Sequence, residues 1–205
     1  VGLDLTKFSQ VSVDRVAKRK ELGIPENAIV LFSVGELNKN KNHETVIRSI
    51  ADLDVYYLIA GSGSLQPHLQ NVIDELKMKD RVKLLGFRND ILELLKSVDI
   101  FVFPSFREGL PVSVMEAMAS GLPCVASDIR GVRDLIIDGK NGFLCEPSDK
   151  NVITNAISIL AESEQLRVKF GLYSKEKVSA YGYDLVERKM MQIYKKLESK
   201  NHASV

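Results

Sequence analysis

The chain has 205 residues, with 28 Lys and Arg against 27 Asp and Glu, for a net charge of +1. Hydrophobic residues make up 45% and charged residues 27%, a globular balance that excludes a mainly disordered chain and supplies enough apolar material for one well-filled core. No charge excess advertises a nucleic-acid or membrane-surface role, and two cysteines, Cys124 and Cys145, are too few for a disulfide scaffold or a zinc site.

The opening Val1-Gly2-Leu3-Asp4 lacks an initiator Met and the basic-then-apolar pattern of a signal peptide, so it reads as a start inside a longer protein. Ile29–Val34 predicts the first buried strand, and Glu44–Ala51 a helix with Val46, Ile47 and Ile50 on one face. Val55–Ala60 is the second strand run and Leu65–Met78 the second helical pattern. Val82–Leu85, a helix over Asp90–Ser97, and the strand run Ile100–Pro104 follow. Val112–Ala119 reads as a helix stopped by Gly121 and Pro123. Pro123–Ala126 is a fifth strand and Phe143–Leu144 a short last one. Asp149 can cap a helix bearing Val152, Ile153, Ala156, Ile157 and Leu160. Helices over about Gln165–Ala180 and Tyr183–Leu197 close the chain.

The strand runs are nearly continuous in apolar residues, as strands covered on both faces are. Their alternation with helices implies an α/β fold, a doubly wound, mostly parallel, Rossmann-like sheet. Ligands of such sheets bind beyond the carboxyl ends of the strands. The polar and glycine-rich segments Gly35–Asn42, Gly61–Ser64, Gly86–Asn89, Ser105–Pro111 and Ser127–Gly131 fall there.

Ser105–Pro111 runs from a strand into a helix, where Val112 and Ser113 can offer free N–H groups to a phosphate; an ordinary strand-to-helix turn reads the same way. Glu116 is the single acid in an apolar, small-residue helix, and a carboxylate suits sugar or ribose hydroxyls. Helical spacing lets Glu108 and Glu116 face one loop opening. Lys39 and Lys41 precede a helix and can neutralise a diphosphate, or form a solvated basic turn. Gly61-Ser62-Gly63-Ser64 permits close backbone approach, but neither GxxxxGK(S/T) nor a GxGxxG after the first strand occurs. His43, His68 and His202 have no metal-like or catalytic companion by spacing, and Tyr181 and Tyr183 read as packing residues.

The block Phe103–Ala126, with Glu108 and Glu116 eight positions apart, resembles the E-x7-E signature of family 4 glycosyltransferases. These are retaining, nucleotide-sugar-dependent enzymes built from two Rossmann-like domains, the GT-B fold. Val34–His43, Ile59–Gly63, Arg81–Gly86 and Gly131–Glu146 agree in order, and the resemblance covers about residues 1–195. It implies the carboxyl-terminal, donor-binding half of such an enzyme: residues 1–10 as a remnant of the interdomain linker, 11–180 as the nucleotide-sugar domain, 181–205 as a C-terminal helix and tail. Bacterial capsule and exopolysaccharide enzymes are the members it looks most like.

Carried over by position, the resemblance makes Glu108 and Lys41 the catalytic residues, Glu108 near the donor sugar and Lys41 on the diphosphate leaving group. Glu116 holds the ribose. Gly35, Glu36, Lys39, Gly61, Gly109, Leu110, Pro111, Val112 and Ser113 line the donor, and Gly86, Phe87 and Arg88 dock the base. Glu36 departs from the family, which has Arg there; Lys39 or Arg88 are the candidates to compensate. The resemblance implies no metal and no cofactor beyond a UDP- or GDP-linked sugar as substrate. It also implies an acceptor domain outside this chain, no nucleic-acid partner, and a cytoplasmic protein, the whole enzyme peripheral to the membrane. A nucleotide-sugar 2-epimerase-like isomerase and a non-catalytic nucleotide-binding module are the alternatives.

Overall fold

The computed structural model describes residues 2–202, with side chains through Lys195. Six strands, β1 (Val30–Val34), β2 (Tyr56–Ala60), β3 (Val82–Gly86), β4 (Ile100–Phe103), β5 (Cys124–Ser127) and β6 (Gly142–Cys145), form one sheet in the order β3-β2-β1-β4-β5-β6. Every pairing between these strands is parallel. All six strand runs marked in the sequence are strands.

The alternation of side chains along each strand divides the core in two. Val30, Phe32, Leu58, Phe101 and Phe103 face one layer, which holds α5 (Ile91–Ser97) and α6 (Val112–Ala119). Leu31, Tyr57, Ile59, Ile100 and Val102 face the other, which holds α3 (His43–Ser49), α4 (Gln66–Glu75) and α8 (Lys150–Glu162). Strands buried on both faces explain why no polar alternation marks them in the sequence. Helix α9 (Glu164–Val178) packs on α6; Gly171 abuts the Gly121 carbonyl just past α6, the Ser174 hydroxyl donates to the Leu122 carbonyl at 2.9 Å, and Phe170 packs edge-on against Phe143 in the other layer. Gly121, at φ 81, ends α6 as the sequence implied.

Three helices have no apolar periodicity to announce them: α1 (Thr6–Gln10), α2 (Arg15–Glu21) and α7 (Arg130–Arg133). In α2 the buried anchor is a charge. Arg19, 2% exposed, donates to the carbonyls of Ser97, Glu26 and Ala28 and to Asp99 at 2.7 Å. Asp99 also accepts from the Val30 N–H at 2.8 Å, so this ion pair ties α2 to the starts of β1 and β4. Leu3 pairs with Gly182 ahead of the last helix, α10 (Tyr183–His202). Tyr181 packs against the core, whereas Tyr183 lies over Gly2 and stays 59% exposed.

Candidate functional site

The chain leaves β1 for β2 and β3 on one side, then returns to place β4 on β1's other side. The loops after β1 and β4 therefore diverge, and the crevice between them is where a doubly wound sheet receives ligands. Lys41 comes from the first loop and Glu108 from the second. The Lys41 Nζ donates to Glu108 Oε1 at 2.7 Å, and the pair is about one-fifth exposed on each side. Asn40 Nδ2 donates to the same carboxylate oxygen at 3.2 Å and to the Arg107 carbonyl at 3.0 Å, while the Phe106 N–H donates to the Asn40 carbonyl at 2.9 Å. Asn40 thus clamps the two loops together, a role that spacing alone does not single out. The Lys41 ammonium also lies 5.4 Å from the centre of the Phe103 ring, and its stem runs against Gly35.

Beside this pair, α6 begins at Pro111 with no side chain capping it. The N–H groups of Val112 and Ser113 are left for an anion, together with the positive end of the helix. Glu116 lies one turn further in, partly buried. No hydrogen bond or ion pair reaches its carboxylate among the described residues, and burial alone pushes its pKa above the ordinary value. Leu110 packs on the core and Gly109 is exposed; a β-carbon at Gly131 would collide with the Gly109 carbonyl, so the loops after β4 and β5 touch there.

On the other side of Lys41 lies an open cleft of about 400 Å³, walled by Gly35, Glu36, Gly61, Ser62, Phe87 and Arg88. Gly61 has φ 145, and a β-carbon there would strike the Gly35 carbonyl, so only glycine lets the two loops meet. Its N–H donates to the Gly86 carbonyl at 2.8 Å. Phe87 is 78% exposed at the cleft's mouth, a flat apolar face free for stacking. Arg88 grips Asp90 at 2.7 and 2.5 Å and reaches Glu21 at 3.3 Å. Its charge is engaged, and it holds Asp90 well below the usual carboxylate range. Glu36 accepts from Asn38 at 2.9 Å; Lys39 is exposed, with no ion pair among the described residues. A larger open groove, about 630 Å³, follows α9 past Val168, Leu172 and Tyr173 and contains none of these groups.

His43 is 3% exposed beneath the first loop. Ser33 Oγ donates its one proton to the Val102 carbonyl at 2.5 Å, so the 2.8 Å contact with Tyr57 is donated by the phenol. The Tyr57 oxygen then accepts from His43 Nδ1 at 3.3 Å, and the buried Nε2 makes no hydrogen bond among the described residues. Burial first, and the Lys41 charge second, push the ring's pKa down to about 4.

The model of the family described as "Glycosyl transferases group 1" matches residues 14–177. The chain is 35% identical over 175 residues to the UDP-Gal:alpha-D-GlcNAc-diphosphoundecaprenol alpha-1,3-galactosyltransferase of Escherichia coli, covering 82% of this chain and 45% of that protein. It is 30% identical over 202 residues to a diacetylbacillosaminyl-diphospho-undecaprenol alpha-1,3-N-acetylgalactosaminyltransferase of Campylobacter jejuni, covering 95% and 52%. The crystal structure of Anabaena HepE in complex with UDP superposes with a TM-score of 0.86 at 28% identity, over 97% of this chain and 56% of HepE. The chain thus spans about half the length of the relatives it matches.

Proposed function

This chain belongs to the group 1 glycosyl transferases, and from that premise we propose that it is the donor-binding half of a retaining glycosyltransferase acting in cell-surface polysaccharide or glycolipid synthesis. The observation that carries this is the meeting of Lys41, Glu108 and the uncapped start of α6 at the sheet's switch point. A nucleoside diphosphate laid across the site puts its base against Phe87 and the walls of the Gly35–Gly61 cleft. Its ribose hydroxyls donate to Glu116, and its phosphates meet the Val112 and Ser113 amides. As the glycosidic bond breaks, negative charge grows on the diphosphate and positive charge on the sugar. Lys41, Lys39 and the α6 amides stabilise the first. Glu108, held by Lys41 and Asn40, keeps a negative group beside the second. With Arg88 engaged by Asp90, Lys39 is the better candidate to offset the acid at Glu36.

The same proposal assigns residues 11–180 to nucleotide-sugar binding, 1–10 to a linker from the acceptor domain and 181–205 to a C-terminal helix and tail, of which residue 1 and residues 203–205 lie outside the described residues. The E. coli and C. jejuni relatives carry diphosphoundecaprenol in their names, which favours a lipid-linked acceptor. No helix among the described residues is long and apolar enough to cross a membrane. The same proposal makes the whole enzyme cytoplasmic and peripheral to the membrane.

The test is a thermal-shift and calorimetric screen of UDP, GDP, ADP and their glucose conjugates on this chain. We expect one base to bind, with affinity unchanged by a chelator, because the phosphate site is built from lysines and amides. Failure of all three, or binding that needs magnesium, overturns the proposal.

A further inference from the structure

The chain has nine arginines before α10, and seven of them are engaged. Arg15 and Arg19 share Asp99, Arg48 holds Glu44, Arg88 holds Asp90, Arg133 holds Asp128, and Arg81 and Arg167 donate to backbone carbonyls. Arg107 and Arg130 alone in this set have no hydrogen-bond or ion-pair partner among the described residues. Both are exposed. Both also flank one place: Arg107 directly precedes Glu108, and Arg130 directly precedes Gly131, which abuts the Glu108 and Gly109 carbonyls.

Of the acids around them, two are already held and Asp134, one turn beyond Arg130, makes no ion pair with either arginine. Glu108 is taken by Lys41 and Asp128 by Arg133. Nor does the donor need them all. The nucleotide cleft lies over the β1–β2–β3 side of the sheet edge, whereas Arg107 stands on the loop after β4, ahead of α6, and Arg130 on the loop after β5. A guanidinium matches a planar or tetrahedral oxyanion with paired donors, and these two stand on loops that touch where Gly131 abuts the Gly109 carbonyl.

We propose that Arg107 and Arg130 form a second anion site for a phosphate or carboxylate carried by the acceptor or by the donor's own sugar. The proposal rests on the donor-binding reading above. It defines which substrates that site accepts: one with an oxyanion close to the transferred sugar or to the hydroxyl that attacks it.

The experiment compares the chain with its Arg107→Gln/Arg130→Gln variant, checked for an unchanged thermal midpoint; both positions are exposed and unbonded. Each is titrated with UDP, with UDP-glucose against UDP-glucuronate, and with inorganic pyrophosphate, free and at saturating UDP. The expected results are UDP affinity within ~2-fold between the two proteins, and a further anion-dependent gain that the variant loses by ~10-fold or more, as for charge-assisted hydrogen bonds. A wild-type preference for UDP-glucuronate that vanishes in the variant supports the site and places the anion on the donor sugar. Pyrophosphate binding on top of UDP, lost in the variant, supports it and places the anion on the acceptor. Neither effect, or a variant that loses UDP itself by ~10-fold, overturns it. If UDP does not bind at all, pyrophosphate on the free chain still decides: equal affinity in both proteins overturns the site, loss in the variant supports it, and the UDP result is charged to the donor reading alone.

Discussion

Burial without a partner makes Glu116 a destabilising residue in the free chain. Its folded-state pKa is raised by desolvation. The unfolded carboxyl therefore ionises first, and the folded state loses stability as pH rises through the carboxylate range into neutrality. Glu116→Gln removes that penalty. We expect the variant to melt higher than the wild type at pH 7.5, the gap closing toward pH 4, while nucleotide affinity falls by ~10–100-fold, the loss of ~1.5–3 kcal/mol for a charged acceptor. Wild-type affinity in this variant would make Glu116 a structural acid. His43 gives the opposite slope. Its folded pKa, about 4, lies below the ordinary value of 6.5. The unfolded state binds the extra proton, so stability present above pH 6.5 drains away as pH falls toward 4, by ~3 kcal/mol at most. Denaturant unfolding at pH 7 and pH 4.5 should show that loss in the wild type and a smaller one in His43→Gln. The sequence showed Glu116 as odd company for an apolar helix. It could not show His43 as part of a Ser33–Tyr57–His43 chain, because those groups come from β1, β2 and α3.

Helices whose stability comes from an apolar stripe or a local cap are visible in the sequence. Helix α8 is one: Asp149 accepts from the Asn151 and Val152 N–H groups at 2.9 and 3.1 Å, as its place before the apolar pattern implied. Asp149→Ala should cost ~1 kcal/mol of stability, read as a lower denaturation midpoint, with nucleotide affinity unaltered. Cap loss that also weakened nucleotide binding would mean that α8 is coupled to the site. Helix α2 is the contrary case. Its hold is Arg19 on Asp99, eighty residues away, and no local pattern reports a buried ion pair. Helix α10 falls between: its amphipathic sequence marks the element, yet Met190, Met191, Ile193 and Tyr194 are each about half exposed on it, which sequence periodicity would have assigned to a core.

At the scale of the molecule, the donor-binding proposal makes a demand on activity. Transfer needs donor and acceptor in attack geometry, and orientation is worth ~7–11 kcal/mol. The chain spans 45–56% of the length of the relatives compared, so we expect it to bind donor but not to transfer sugar to a lipid-linked acceptor that the longer enzyme glycosylates. Robust transfer by the 205-residue chain would place an acceptor site within it. The sheet and the loops that matter are legible in the residues alone, because strands buried on both faces need uninterrupted apolar runs and strand-end loops need Gly, Pro and polar residues. The E-x7-E block also pointed to the family. Tertiary structure alone decided which charges remain free. Lys41 meets Glu108 and Arg19 meets Asp99 across 67 and 80 residues of chain, while Glu116, Arg107 and Arg130 find no partner among the described residues, and such roles depend on neighbours that folding brings from distant segments.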